Sequence, residues 1–93
     1  MYYIYPNKKG NPAKDPIAKA PTDLKARHEC AKLMRGYPEG LWAEDKVAHK
    51  FFLMEHFGNA YLYTNNDGME RRLDSRGNVI KKKVKAVWRP FGL

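Results

Sequence analysis

Hydrophobic residues recur along the chain with two different periods, one typical of helices and one typical of strands. Between residues 22 and 36 they fall on one half of a helix, with Thr22 as the N-cap and Gly36 and Pro38 ending it. The apolar half of this first predicted helix contains Leu24, Ala26, Cys30, Ala31, Leu33 and Met34.

A second helix is predicted from Trp42 to Phe57, with Gly58 as its left-handed stop. Its core face would consist of Ala43, Val47, Phe51, Met54 and Phe57, widened by Trp42 and Leu53. Its opposite face would consist of Asp45, His49, Phe52 and His56. Because Phe52 is apolar, this helix is either covered on both sides or exposes an aromatic ring.

The remaining segments alternate in polarity or contain turn residues, which predicts strands and hairpins. The predicted strands cover residues 2–5, 60–64, 69–74 and 79–89. Pro6 would close the first strand, and the Asn-Asn-Asp-Gly sequence at 65–68 suits a hairpin turn. The expected fold is α+β in the order β-α-α-β-β-β, with two helices packed on one face of a small antiparallel sheet.

Residues 6–21 are predicted to form an extended loop or arm, because they contain four of the six prolines together with four lysines. A loop of this length is either functional or partly mobile. With 93 residues, the chain is expected to fold as one domain over residues 1–93.

Basic residues outnumber acidic ones, with 18 Lys and Arg against 10 Asp and Glu and a formal net charge of +8. Most of this excess lies between Met69 and Leu93, where eight Lys and Arg face two acidic residues. An excess of this kind favours polyanionic partners, with nucleic acid (DNA or RNA) first and an acidic protein surface next. The alternative is that the charge only keeps a small protein soluble.

The last predicted strand would present its cations on one face, since side chains alternate along a strand. These cations are Lys81, Lys83, Lys85 and Arg89, and Arg71 or Arg72 would extend the row from the neighbouring strand. Neighbours in the row would lie ~6.6–6.8 Å apart, about the spacing of phosphates along one nucleic-acid strand. Alternatively, the lysines protect an exposed edge strand from pairing with another chain.

Tyr61 and Tyr63 share one face of their predicted strand. They would either stack on nucleic-acid bases or pack, half-buried, against the sheet. The leading hypothesis is therefore a non-enzymatic nucleic-acid-binding domain with a strand lined by lysine and arginine as its phosphate platform.

A second hypothesis is a small accessory or mobile-element (phage-like) effector that binds and inhibits or regulates a host protein. The predicted helix face with Asp45, His49, Phe52 and His56 would be its binding surface, since an aromatic ringed by polar groups is typical of an interface anchor. The alternative is that residues 6–21 cover Phe52.

A third hypothesis is a ribonuclease toxin, because the predicted element order is similar to that of RelE-type toxins, although no stretch of sequence matches. This similarity implies that Arg71, Arg72, Lys81, Lys83 and Tyr63 would stabilise a scissile phosphate.

Several classes of protein are disfavoured by what the sequence lacks. Cys30 is the one cysteine, so no internal disulfide is possible, and no familiar metal or nucleotide motif is present. No cofactor or metal site is therefore predicted. No apolar run approaches the ~20 residues that span a bilayer, and the N-terminus does not match a secretory signal. These features predict a cytoplasmic protein without a membrane partner.

Overall fold

An antiparallel seven-stranded sheet and a single α-helix form the fold of residues 1–80, the part of the chain that this computed structural model describes. The strands are β1 Tyr2–Lys8, β2 Asn11–Pro12, β3 Ala18–Ala20, β4 Leu41–Asp45, β5 Lys50–Phe57, β6 Ala60–Asn65 and β7 Glu70–Leu73. Helix α1 spans Asp23–Leu33 and continues into a 3-10 turn, Met34–Gly36. The strand order is β2-β1-β4-β5-β6-β7, and β3 also pairs with β1.

The second predicted helix is wrong, since residues 42–57 belong to the antiparallel hairpin of β4 and β5. In its register Ala43 pairs with Phe52 and Leu41 with Met54, and all four side chains are fully buried. The buried positions therefore alternate along each strand, with the period of a sheet that is covered on one face. The expected architecture of two helices packed on a sheet is replaced by one helix on a larger sheet.

Helix α1 is confirmed, and so is its cap. The Thr22 side chain accepts a hydrogen bond from the Lys25 backbone N–H at 3.2 Å, which satisfies one unpaired donor of the first turn. The helix buries Ala26, Cys30 and Ala31 against the sheet, whereas Leu24 stays 46% exposed. Together with Met34, the buried helical side chains cover Tyr2, Ile4, Leu41, Ala43, Phe52, Met54 and Leu73 of the sheet.

Strand β1 does not end at Pro6, as its sequence predicts, but continues to Lys8. Proline has no N–H to donate, yet its carbonyl accepts a hydrogen bond from the Ala13 N–H at 2.8 Å. Two short parts of the predicted arm of residues 6–21 also pair with β1, as strands β2 and β3. Pro12 fits there because it lies on a short edge strand, and Pro16 and Pro21 lie outside the strands.

The hairpin of β6 and β7 is confirmed, with the turn at residues 65–68. The Asn65 Oδ1 accepts the N–H groups of Asp67 and Met69 at 2.9 and 3.0 Å, and Gly68 has a φ of 82°. Asn favours such turns because its side-chain oxygen accepts backbone N–H groups, and Gly favours them because it adopts a positive φ without steric cost. Most of the last predicted strand, residues 79–89, lies outside the described residues.

Candidate nucleic-acid interface

Arg71 and Arg72 are both exposed on β7. Because they are adjacent on the strand, their side chains point to opposite faces of the sheet. Arg71 pairs in register with Tyr63 and lies on the face that α1 covers. The Arg72 guanidinium lies 4.9 Å from the centre of the Phe57 ring, on the other face. Only one of the two arginines can therefore extend a row of cations on a single face.

The turn after β7 presents a third exposed arginine, Arg76. The Asp74 carboxylate organises this turn, since its Oδ1 accepts the N–H groups of Arg76 and Asn78 at 2.9 Å each. The backbone hydrogen bond from Asn78 is the largest cause that lowers the Asp74 pKa. The carboxylate is thus engaged with backbone rather than with an arginine.

Helix α1 holds this turn in place through three contacts. Arg27 donates to the Gly77 carbonyl at 3.3 Å, and His28 Nε2 lies 2.8 Å from Asn78 Oδ1. Gly77, with a φ of 91°, lies so close to the Arg27 carbonyl that a Cβ would be 2.5 Å from its oxygen. Beside these contacts is a cleft of about 450 Å³, with Lys32 and Arg76 among its lining residues.

The predicted cations Lys81, Lys83, Lys85 and Arg89 lie outside the described residues. The residues just before them are in place beside β7. Val79 forms a bridge with Leu73, and the Ile80 N–H donates to the Arg72 carbonyl at 2.9 Å. Ile80, the last described residue, therefore lies next to the arginines of β7.

Tyr61 and Tyr63 share one face of β6, and this is the face that packs on α1. Tyr63 donates to Asp23 Oδ2 at 3.0 Å, and its ring lies 4.8 Å from Phe52. Tyr61 donates to the Ala31 carbonyl at 3.5 Å and meets His56 edge to face. Both rings pack, half-buried, at the border of the core, so the face that they share is not open to stacking bases.

The predicted partner surface of Asp45, His49, Phe52 and His56 is wrong, because it required a helix. Phe52 is fully buried in the core. Asp45 closes the β4–β5 turn by accepting the Val47 and Ala48 N–H groups at 3.1 Å, and the Ala48 bond is the largest cause that lowers its pKa. His49 occupies that turn with a φ of 55°.

His56 lies at the far end of β5 from that turn, and its Nε2 is 3.0 Å from the Met34 carbonyl and 3.3 Å from the Tyr37 carbonyl. A carbonyl only accepts, so this nitrogen carries a proton. His56 thus links the end of the helical segment to the sheet. Because it lies at the other end of β5, its position does not support a shared partner surface with Asp45.

An aromatic surface on the sheet face opposite α1 was missed by sequence reasoning. Tyr3 and Phe57 are 41% and 44% exposed there, and the half-buried rings of Trp42 and Phe51 lie 5.0 Å apart. We call this the open face, because no helix covers it in residues 1–80. The register also places three carboxylates on it, Glu44, Glu55 and Glu70, against the cations Lys19 and Arg72. Alternation along β4 and β5 was the signal that could have revealed it.

A polar cluster between α1 and β6 was also missed. Asp23 accepts from Arg27 Nε at 2.8 Å and from the Tyr63 hydroxyl at 3.0 Å. The Arg27 guanidinium lies 5.9 Å from the centre of the Tyr63 ring. Burial, followed by the Asp23 charge, raises the pKa of Tyr63, so this hydroxyl stays protonated as the donor. The i, i+4 spacing of Asp23 and Arg27 was the one signal in the sequence.

Within residues 1–80, no group of three His, Cys, Asp or Glu side chains is placed to hold a metal ion. The helix of this part of the chain is too short and too polar to cross a membrane. No known protein family, curated protein or solved structure matches the chain.

Proposed function

We propose that this chain is a cytoplasmic nucleic-acid-binding protein that contacts phosphates along the β7 edge of its sheet. The observation that carries the proposal is the hydrogen bond from the Ile80 N–H to the Arg72 carbonyl. This bond brings the start of the basic C-terminal sequence to the strand that presents Arg71 and Arg72. In the sequence, residues 81–93 then contain five Lys and Arg and no acidic residue.

The cations of the β7 edge are available for a ligand. Arg71, Arg72 and Arg76 are exposed, and none of them has a carboxylate partner within 4.0 Å among residues 1–80. The nearby Asp74 is engaged with backbone N–H groups, and Glu29 lies 3.9 Å from Lys32. Guanidinium groups bind phosphate oxygens through paired N–H donors, so three arginines without a carboxylate partner in residues 1–80 make a suitable phosphate platform.

The test is a comparison of two triple variants that remove the same charge from opposite edges of the sheet. Arg71, Arg72 and Arg76 are changed to Gln in one variant. Lys8, Lys9 and Lys14, which lie at the β2 edge, are changed to Gln in the other. The proposal expects the β7-edge variant to lose far more affinity for a generic oligonucleotide than the β2-edge variant does. Equal losses would indicate that only net charge matters.

A second candidate function, binding to a host protein, is favoured by the open face. Exposed Tyr3 and Phe57 share this face with the half-buried Trp42 and Phe51, and carboxylates outnumber cations on it. Such a face suits a partner with an apolar surface and a basic rim, rather than the phosphates of a nucleic acid. Tyr3→Arg should then release a co-purifying protein that Ile17→Arg, at an exposed site in the loop before β3, retains.

The ribonuclease hypothesis has lost its structural basis. It depended on an order in which two helices precede the sheet, whereas three strands precede the single helix of residues 1–80. In addition, the Tyr63 hydroxyl that it would use is bonded to Asp23.

A further inference from the structure

A small cavity of about 220 Å³ lies between the first turns of α1 and the β6–β7 hairpin. Its polar lining consists of Asp23, Arg27, Tyr63, Asn65 and Arg71, and Met69 and Val79 provide apolar walls. The cavity is therefore next to the β7 edge, on the face of the sheet to which Arg71 belongs.

The polar groups of this cavity leave hydrogen-bond donors available. Arg27 uses Nε for Asp23 and Nη1 for the Gly77 carbonyl, so its Nη2 has no partner among residues 1–80. The Asn65 Oδ1 is occupied by two turn N–H groups, whereas its Nδ2 has no partner within the same residues. Arg71 makes one long contact, at 3.4 Å, to the Glu70 carbonyl.

The acidic member of the cavity is already neutralised. One Asp23 oxygen accepts from Arg27 and the other from the Tyr63 hydroxyl. Two guanidinium groups against one carboxylate leave the lining with a net positive charge. A cavity with spare donors and positive charge selects a ligand that is an anion with several acceptor oxygens.

We propose that this cavity holds one phosphate of a bound nucleic-acid strand, contacted by Arg27 Nη2, the Arg71 guanidinium and Asn65 Nδ2. The proposal rests on the proposed function and adds a defined site to it. Asn65 distinguishes the cavity site from the more general proposed function, because it lines the cavity but has no charge of its own.

Asn65→Asp tests the site, because it keeps the oxygen that closes the hairpin and replaces the Nδ2 donor by an anionic oxygen. Asn66→Asp is the matched control. It changes the charge equally at the next position, on an exposed residue that does not line this cavity. For a single-stranded oligonucleotide, Asn65→Asp should lower affinity at least about tenfold, as expected for a lost charge-assisted hydrogen bond. Asn66→Asp should lower it no more than about threefold, the general effect of one added charge.

Inorganic phosphate, titrated into the wild-type protein, provides the second measurement. The NMR signals of the Asn65 side-chain NH₂ should shift with phosphate, and they should stop responding once an oligonucleotide is bound. Equal losses of affinity in the two variants, or an Asn65 signal that phosphate does not move, would overturn the cavity site and leave the proposed function standing. A phosphate-dependent shift without any oligonucleotide binding would overturn the proposed function and indicate a free phosphate compound as the ligand.

Discussion

Ala43 and Phe52 face each other across β4 and β5, and both side chains are fully buried beneath α1. Phe52 also lies 6.0 Å from the Tyr2 ring and 4.8 Å from the Tyr63 ring, which connects β1, β5 and β6. The residue that sequence reasoning assigned to a partner surface is therefore at the centre of the core.

Phe52→Ala should cost about 3–5 kcal/mol of unfolding free energy, because it leaves a large cavity among packed rings. Phe57→Ala, in the same strand but at a 44% exposed position, should cost less than about 1 kcal/mol. Urea unfolding at neutral pH measures both. Similar losses for the two variants would contradict the register of β5.

Gly40 precedes β4 with a φ of 92°, and a Cβ there would collide with the Met54 carbonyl oxygen of β5. Gly40→Ala should therefore combine backbone strain with a clash that the backbone of β5 cannot easily relieve. Gly58 has a φ of 61° but open space around it, so Gly58→Ala should cost only about 1–2 kcal/mol, from strain alone. We expect Gly40→Ala to exceed that cost by about 1–3 kcal/mol in the same unfolding assay. Equal costs would show that β5 does not approach Gly40.

The free energy of unfolding should fall at alkaline pH, because the Cys30 thiol is buried. Burial raises the pKa of its thiol to about 12, whereas in the unfolded chain the thiol ionises near its ordinary value of about 8.5. Because the unfolded state loses its proton first, this contribution is complete below about pH 8.5 and is lost as the pH rises toward 12. The loss amounts to about 1.4 kcal/mol per pH unit.

The matching measurement is the unfolding free energy between pH 8 and pH 10 under reducing conditions. Cys30→Ala should show a shallower decline than the wild type, whatever its absolute stability. Parallel curves would mean that the thiol is not buried. Tyr2 and Tyr63, whose pKa values are also raised by burial, should add to the decline at higher pH in both proteins.

The elements that could be predicted from the sequence are those that local signals determine. Thr22 caps α1, and Asn65 and Gly68 provide the turn chemistry of the β6–β7 hairpin. The β4–β5 hairpin was missed because its apolar residues also fit helical spacing, and its turn contains no glycine or proline. That turn is closed instead by the Asp45 side chain and by the positive φ of His49.

The candidate site likewise has one part that the sequence predicts and one part that it does not. Arg71 and Arg72 are exposed on a predicted strand, so the sequence was sufficient to select them. The cavity beside them depends on Asp23 meeting Tyr63, 40 residues further along the chain. Packing of α1 on the sheet determines that contact, and no local pattern contains it. The open face was not predicted, because residues 42–57 were expected to form a helix.

The salt dependence of nucleic-acid binding tests the central claim most directly. Binding of the wild-type protein to a generic oligonucleotide should weaken steeply between about 50 and 200 mM salt, with a logarithmic slope that reports the phosphates neutralised. Changing Arg71, Arg72 and Arg76 to Gln should reduce that slope by about two to three, and so should changing Lys81, Lys83 and Lys85. The triple change of Lys8, Lys9 and Lys14 should leave the slope nearly unchanged. A wild-type protein that binds no nucleic acid at ~50 mM salt would contradict the account and favour a protein partner on the open face.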